Sequence, residues 1–484
     1  MLNKQKRQRK LESKCLGKLL NKVFIEILAR LWRLLLERSS FPKFKIFLCQ
    51  IINPLKDDRC QWIDDGAVVL MRTQKLTLSR APSYVIHDKG QEKDILRKYG
   101  SKRSLEIIDR KSFTLLPSFF DLHFHWVQDE VRLMPKKSLL EWLSKHTWPY
   151  EAKFKSRHFS LRKAKGFAKE LLKVGTLGGA CFGSLHGHSV DHGIEFFEGD
   201  FILGNVLMTM NSPDYLTQTK ENALGLIKEK AEAFKSKYAL TPRFAPTTHP
   251  DIMREGAYFA NKHGCFIQTH LSETKQEIEY VLSLYRQMDG FNQVKSYTEI
   301  YQKCGILGPR TIMGHGIYLS DKELKILSRS KATIAHCPTS NAPVKDKGLG
   351  SGLFDFEQAE KAKIKWGLGS DIGGGPFLSM FDVINSFVKQ NRKKKVWGAT
   401  YVKGLNRSTL ATANILGVGE NTGNIEPGKW ANFIFVPSPP KKKGEDVESF
   451  LKRLCSPRGL SRSDYKDLVV ETFLKGHSRF SHLN

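Results

Sequence analysis

Seven residues of this 484-residue chain could do chemistry together: His123 and His125 in DLHFH, His270, Glu273, His315, His336 and Asp371. Neutral imidazoles with one carboxylate suit Zn²⁺ or Fe²⁺ and leave an open position for a water whose pKa the ion lowers toward neutrality. The HxH spacing by itself proves little, because fifteen His in such a chain give on the order of half an HxH by chance. A second pair, His186-Gly-His188, lies in SLHGHSVDHG and reads as a polar loop. Position separates the first set from chance. The run SFTLLPSFF leads into DLHFH, CFIQT ends at His270, TIMG at His315, ATIA at His336 and KIKWGLGS at Asp371. Glu273 lies three residues past His270, near enough to share a site and free to act as general acid/base. Its competing reading is a carboxylate at a helix N-terminus in SETKQE.

Residues delivered one per apolar run call for a barrel of parallel strands, where catalytic groups project from the C-terminal strand ends. From residue 116 to about 422, helical stretches such as ENALGLIKEKAEAFKSKYA, SETKQEIEYVLSLYRQM and SDKELKILSRS alternate with those brief runs, the pattern of βα units. Residues 43–115 carry FKIFLCQII, GAVVLM, SYVIHD and SLEIID between polar turns and read as antiparallel strands of a small β domain. Strand-like texture returns over 423–484, so the two ends are expected to complete that domain around the barrel.

Composition fits this size: 40% apolar and 11% aromatic residues indicate a globular chain with a large core. The eight cysteines have no CxxC or disulfide-like spacing, as expected of reduced thiols in a cytoplasm. No run of eighteen apolar residues offers a membrane span. The net charge is +29, and the first forty residues hold eleven Lys or Arg against three Glu. Residues 1–42 read as a basic amphipathic extension, either lying on an anionic membrane or nucleic acid or packed on its own protein. KKKG at 441–444 reads as a solvated loop.

PSFFDLHFH, THLSE, MGHGIYLSDKEL, IAHCPTSN, GLGSDIGGG and ATANILG with GNIEPGKWANF, in that order, resemble the successive motifs of the amidohydrolase superfamily of metal-dependent deaminases and hydrolases. Within it, LLEWLSKHTWPYEAKF, LMTMNSPDYL, TPRFAPT and QTHLSET are most similar to segments of the guanine deaminase group. The resemblance implies an α/β fold, a distorted (β/α)₈ TIM-like barrel with a small flanking β-sandwich. It implies one divalent metal, Zn or Fe, held by His123, His125, His270 and Asp371, with Glu273, His315 and Asp371 as catalytic groups. It also implies that Gln128, Arg243 and Phe244 grip the purine; an amide and a guanidinium fork are suited to a flat base edge. The implied reaction is attack of metal-bound hydroxide on C2 of guanine, protonation of the adjacent ring nitrogen by Glu273, and release of ammonia and xanthine. A cytoplasmic homodimer is the expected state.

Four departures stand out: Ser118 in PSF for the usual Gly, Pro376 and Phe377 in GGGPF, an enlarged loop APVKDKG before LGSGLF, and Asn432 for a usual Asp. The middle two lie at the expected mouth and leave room for another substrate, a triazine, pterin or adenosine-like heterocycle. A non-catalytic basic binding protein is the remaining alternative, opposed by intact His123, His125, His270, Glu273, His315 and Asp371. The H-x-E and P-C-x-x-C signature of cytidine-type zinc deaminases is absent. His336 and His186 are expected to be pocket-wall or hydrogen-bonding residues.

Overall fold

A computed structural model describes residues 41–73, 82–136, 138–456 and 467–483. All but the last two residues of the basic N-terminal stretch lie outside them. Branched and aromatic residues in short runs at both ends of the chain favour strands, and they meet in one seven-stranded sheet. β1 (Phe44–Pro54), β2 (Cys60–Arg72), β3 (Tyr84–Gln91) and β4 (Leu105–Pro117) come from the N-terminal side. Strands Phe433–Pro437, Glu471–Leu474 and His477–Ser481 come from the C-terminal side, and Phe433–Pro437 pairs antiparallel with β4. Phe47 ties the two halves together, its ring 5.5, 5.6 and 5.2 Å from those of Phe433, Phe435 and Phe473. Such aromatic pairs contribute roughly 0.5–1.5 kcal/mol each beyond the area they bury. One strand relation differs from expectation: β1 and β4 pair in parallel. The reason is the crossover through β2, β3 and helix Glu92–Tyr99, which returns the chain to the starting end.

The barrel begins two residues after β4. Its strands are β5 (Phe119–Phe124), β6 (Thr176–Phe182), β7 (Asp200–Gly204), β8 (Val206–Leu207), β9 (Ala239–Pro242), β10 (Phe266–Leu271), β11 (Thr311–His315), β12 (Thr333–His336) and β13 (Trp366–Leu368). All their pairings are parallel. β7 and β8 are halves of one strand broken at Asn205, whose side-chain oxygen accepts from Tyr238 Oη at 2.8 Å. The ring closes from last strand to first through Asp371 N–H to His123 O (2.8 Å) and His125 N–H to Ile372 O (3.1 Å). Phe120, Leu122, Ile202, Phe266 and Ile312 fill its interior, together with alanines, so the lower barrel is packed core and the strand tops are left for chemistry.

The helical stretches read from the sequence form helices Lys220–Phe234, Lys275–Tyr285 and Asp321–Ser330. The last two start with capping boxes, Thr274 with Glu277 and Ser320 with Glu323, which satisfy otherwise orphaned N–H groups. Two of the sequence departures touch at the junction of sheet and barrel, where Ser118 N–H donates to Asn432 O (3.3 Å). Asn432 Oδ1 in turn accepts from Lys475 N–H at 2.8 Å.

Candidate metal centre and active site

His123 and His125 project from the end of β5, His270 from β10 and His315 from β11, while Asp371 follows β13 and Glu273 follows β10. The β5–β6 register is irregular at this end, and such bulges re-aim side chains beside active sites. His315 and Asp371 adopt left-handed backbone (φ +70° and +49°), a strain that persists only where surrounding structure enforces it. His123 Nε2 and His125 Nε2 lie 3.5 and 3.4 Å from Asp371 Oδ1, and His125 Nε2 is 3.2 Å from His270 Nε2. His315 Nε2 faces Glu273 Oε2 at 3.5 Å and Asp371 Oδ2 at 4.0 Å. Ligand atoms of His123, His270, His315 and Asp371 all lie within 4.8 Å of one another, and His125 adjoins that group through Asp371 and His270.

These residues fit a divalent cation. Both ring nitrogens of His123 and Nδ1 of His125 are buried without a hydrogen-bond partner, an arrangement costly for imidazoles alone. His270 Nδ1–H donates to Arg243 O at 2.5 Å, and His315 Nδ1–H to Asn341 Oδ1 at 3.0 Å. Each of these bonds fixes the tautomer that turns the Nε2 lone pair inward. Burial holds the imidazoles of His123, His125 and His270 below their ordinary range, hence neutral, as ligands must be. The two carboxylates diverge. Against its burial, Asp371 is held far below the carboxylate range by the His123, His315 and His125 rings gathered around it. Glu273 is pushed up by burial and further by the Asp371 charge, more than His315 and Ser351 offset. The two carboxylates thus favour opposite protonation states.

Gln128 and Arg243 meet across the pocket on a residue that local sequence patterns did not single out. Glu151, 1% exposed, accepts Gln128 Nε2–H at 2.6 Å and Arg243 Nη1–H at 3.0 and 2.9 Å on its two oxygens. Gln128 and Arg243 are themselves buried, and Phe244 lines the same cavity as both, with His125, His270 and Glu273. A Cβ on Gly373 (φ +117°) would stand 2.2 Å from Gln128 Oε1, so glycine is required there. Asp121, the first residue of DLHFH, is a second such residue. Its carboxylate accepts Ser370 N–H at 2.8 Å, Ser370 Oγ–H, and His123 N–H at 3.3 Å. It thereby staples the strand carrying His123 to the segment carrying Asp371, and burial pushes its pKa up to about 7.

The other histidines lie apart from the centre. His188 opens helix His188–Phe196 instead of lying in a loop; its ring stacks on His186 at 5.7 Å, and both line a surface cleft. His336 is buried with neither ring nitrogen partnered, among Phe354, Trp366 and Phe387. Burial lowers its pKa to about 3. The unfolded chain, with pKa near 6.5, therefore binds a proton that the native state refuses as pH falls from 6.5 toward 3, and stability drops across that window. His336→Leu, which cannot protonate, is expected to lose less stability between pH 7 and pH 5 than the native chain. The difference, on the order of 2 kcal/mol, would be read from urea midpoints.

A parallel β/α barrel with buried imidazoles and carboxylates at its strand tops defines a metal-dependent hydrolase. The chain belongs to the amidohydrolase family, whose model matches residues 114–470. It is 35% identical to the guanine deaminase of Escherichia coli (strain K12) over 69% of this chain and 75% of that protein. It is 30% identical to the guanine deaminase of Mus musculus over 84% and 88%. Among solved structures it resembles guanine deaminase from C. acetobutylicum with guanine bound in the active site, at TM-score 0.76 and 27% identity over 90% of this chain and all of that one.

Proposed function

We infer that this chain hydrolyses guanine to xanthine and ammonia. The observation that carries the reading is the buried Gln128–Glu151–Arg243 cluster, whose Gln128 and Arg243 line the same cavity as Glu273 and Asp371. A buried polar pair of this kind serves to read the donors and acceptors of a flat heterocycle. Because Gln128 Nε2 is engaged by Glu151, its Oε1 remains to accept a ring N–H, while the remaining guanidinium donors of Arg243 suit the 6-oxo group.

His123, His125, His270 and Asp371 would hold a divalent ion, Zn²⁺ in this reading, which would supply a water activated for attack near neutral pH. Asp371, ionised, takes the proton of the attacking water. Glu273, favoured in its protonated form, donates to ring N3 beside C2, and His315 holds the water toward C2. Proton return to the departing amino group frees ammonia. Phe244 and the pocket wall exclude bulk solvent from the base.

Zinc rather than iron, a homodimeric assembly, a cytoplasmic location and weak anionic-surface binding through residues 1–42 complete the proposal. The location draws support from the seven described cysteines, all free. Among the described residues no helix is long and apolar enough to cross a membrane. Metal analysis followed by a purine, pterin and triazine panel tests the substrate assignment. Ammonia release from guanine in preference to the others is expected. Release only from another heterocycle would keep the metal hydrolase and overturn the guanine reading.

A further inference from the structure

We propose that Ser351, in the enlarged loop after β12, is a positioning residue that commits the transferable proton of Glu273 to the oxygen facing the reaction. Ser351 Oγ–H donates to Glu273 Oε1 at 2.7 Å, and both residues are buried. A carboxylic acid whose one oxygen accepts from a hydroxyl carries its own proton on the other. That other oxygen, Oε2, faces His315 Nε2 at 3.5 Å.

The loop is built to hold the hydroxyl in place. Tyr318 Oη–H donates to Ser351 O at 2.7 Å. Gly350 N–H donates to Ala342 O (2.8 Å), and Gly352 N–H to Asn341 O (3.3 Å). The two flanking glycines have φ of +75° and +132°, and a Cβ on Gly352 would lie 2.7 Å from Tyr318 Oη. Only glycine adopts both conformations without strain, so the GSG of LGSGLF is accounted for residue by residue. The same loop begins at Asn341, which accepts from His315 Nδ1–H. One loop thus fixes both His315 and Glu273, groups delivered by two different strands, through its first residue and through Ser351. The loop that the sequence marks only as enlarged near the mouth becomes part of the apparatus that aims the proton.

The inference rests on the reading of Glu273 as proton carrier, and the test separates the two. Steady-state kinetics with guanine are measured for the full-length metal-loaded native protein, Ser351→Ala, Glu273→Gln and the double variant. Loss of a hydrogen bond to a charged or charge-developing group predicts a fall in kcat of about 10- to 100-fold for Ser351→Ala, with KM and metal content changed less than about twofold. In the Glu273→Gln background the same substitution should cost less than about twofold, since there is no proton left to aim. Tyr318→Phe, which keeps the ring and releases only the Ser351 carbonyl, should give a smaller fall in kcat in the same direction. It carries the test if Ser351→Ala folds poorly. Native-like kcat in Ser351→Ala or in Tyr318→Phe, or a Ser351→Ala cost that persists undiminished in the Glu273→Gln background, overturns the inference. Absence of guanine turnover by the native protein, or full activity of Glu273→Gln, overturns the reading beneath it instead.

Discussion

Glu273→Gln is expected to lower kcat for guanine by about 10²- to 10⁴-fold, the range of a lost general acid/base, while the protein keeps its metal. The amide has the size of the carboxyl and can still accept from Ser351 Oγ, so the loop and the pocket have no reason to move. What it cannot do is deliver a proton to the ring nitrogen beside C2. Burial and the neighbouring Asp371 charge raise the affinity of Glu273 for a proton, which favours it as a donor. Its Oε2 meets His315 Nε2 at 3.5 Å, whereas His123 and His125 meet Asp371 Oδ1. Kinetics together with metal content by elemental analysis check the claim. Loss of metal along with activity would instead make Glu273 a ligand, and retained kcat would remove it from the chemistry.

Glu151→Ala is expected to reduce kcat/KM for guanine by at least about 100-fold, chiefly through KM. Removing one partner of a buried ion pair costs about 3–5 kcal/mol, because the other charge stays buried and uncompensated. Here the orphan would be the Arg243 guanidinium, 3% exposed. Part of that cost lowers stability and part appears in binding, since the same carboxylate also holds the amide of Gln128 in one orientation. Freed from Glu151, Gln128 can turn its NH₂ toward the base and present a donor where an acceptor is needed. Discrimination between guanine and purines lacking the 6-oxo group should therefore shrink together with affinity. A thermal melt separates the two parts, and KM within threefold of native would contradict the role given to Glu151.

These two residues also show what was legible in the chain before it folded. His123, His125, His270, His315 and Asp371 were legible because each follows an apolar run, and in a parallel barrel the end of a run is the top of a strand. Glu273 was legible as a neighbour of His270. Glu151 was not: its partner Arg243 is 92 positions away, and within WPYE it looks like any acid in a turn. Asp121 bonds to Ser370 across 249 residues and Ser351 to Glu273 across 78, so no local spacing announces either. The same holds for the parallel pairing of β1 with β4, since alternation sets which face of a strand is buried and says nothing of direction. Short apolar runs likewise do not reveal a break such as that at Asn205.

The most direct test of the account is a metal titration of the stripped protein with Zn²⁺ while xanthine and ammonia are followed from guanine. Turnover is expected to rise linearly to one ion per chain and then level, with the two products formed in equal amounts. No guanine turnover with one ion bound per chain would contradict it.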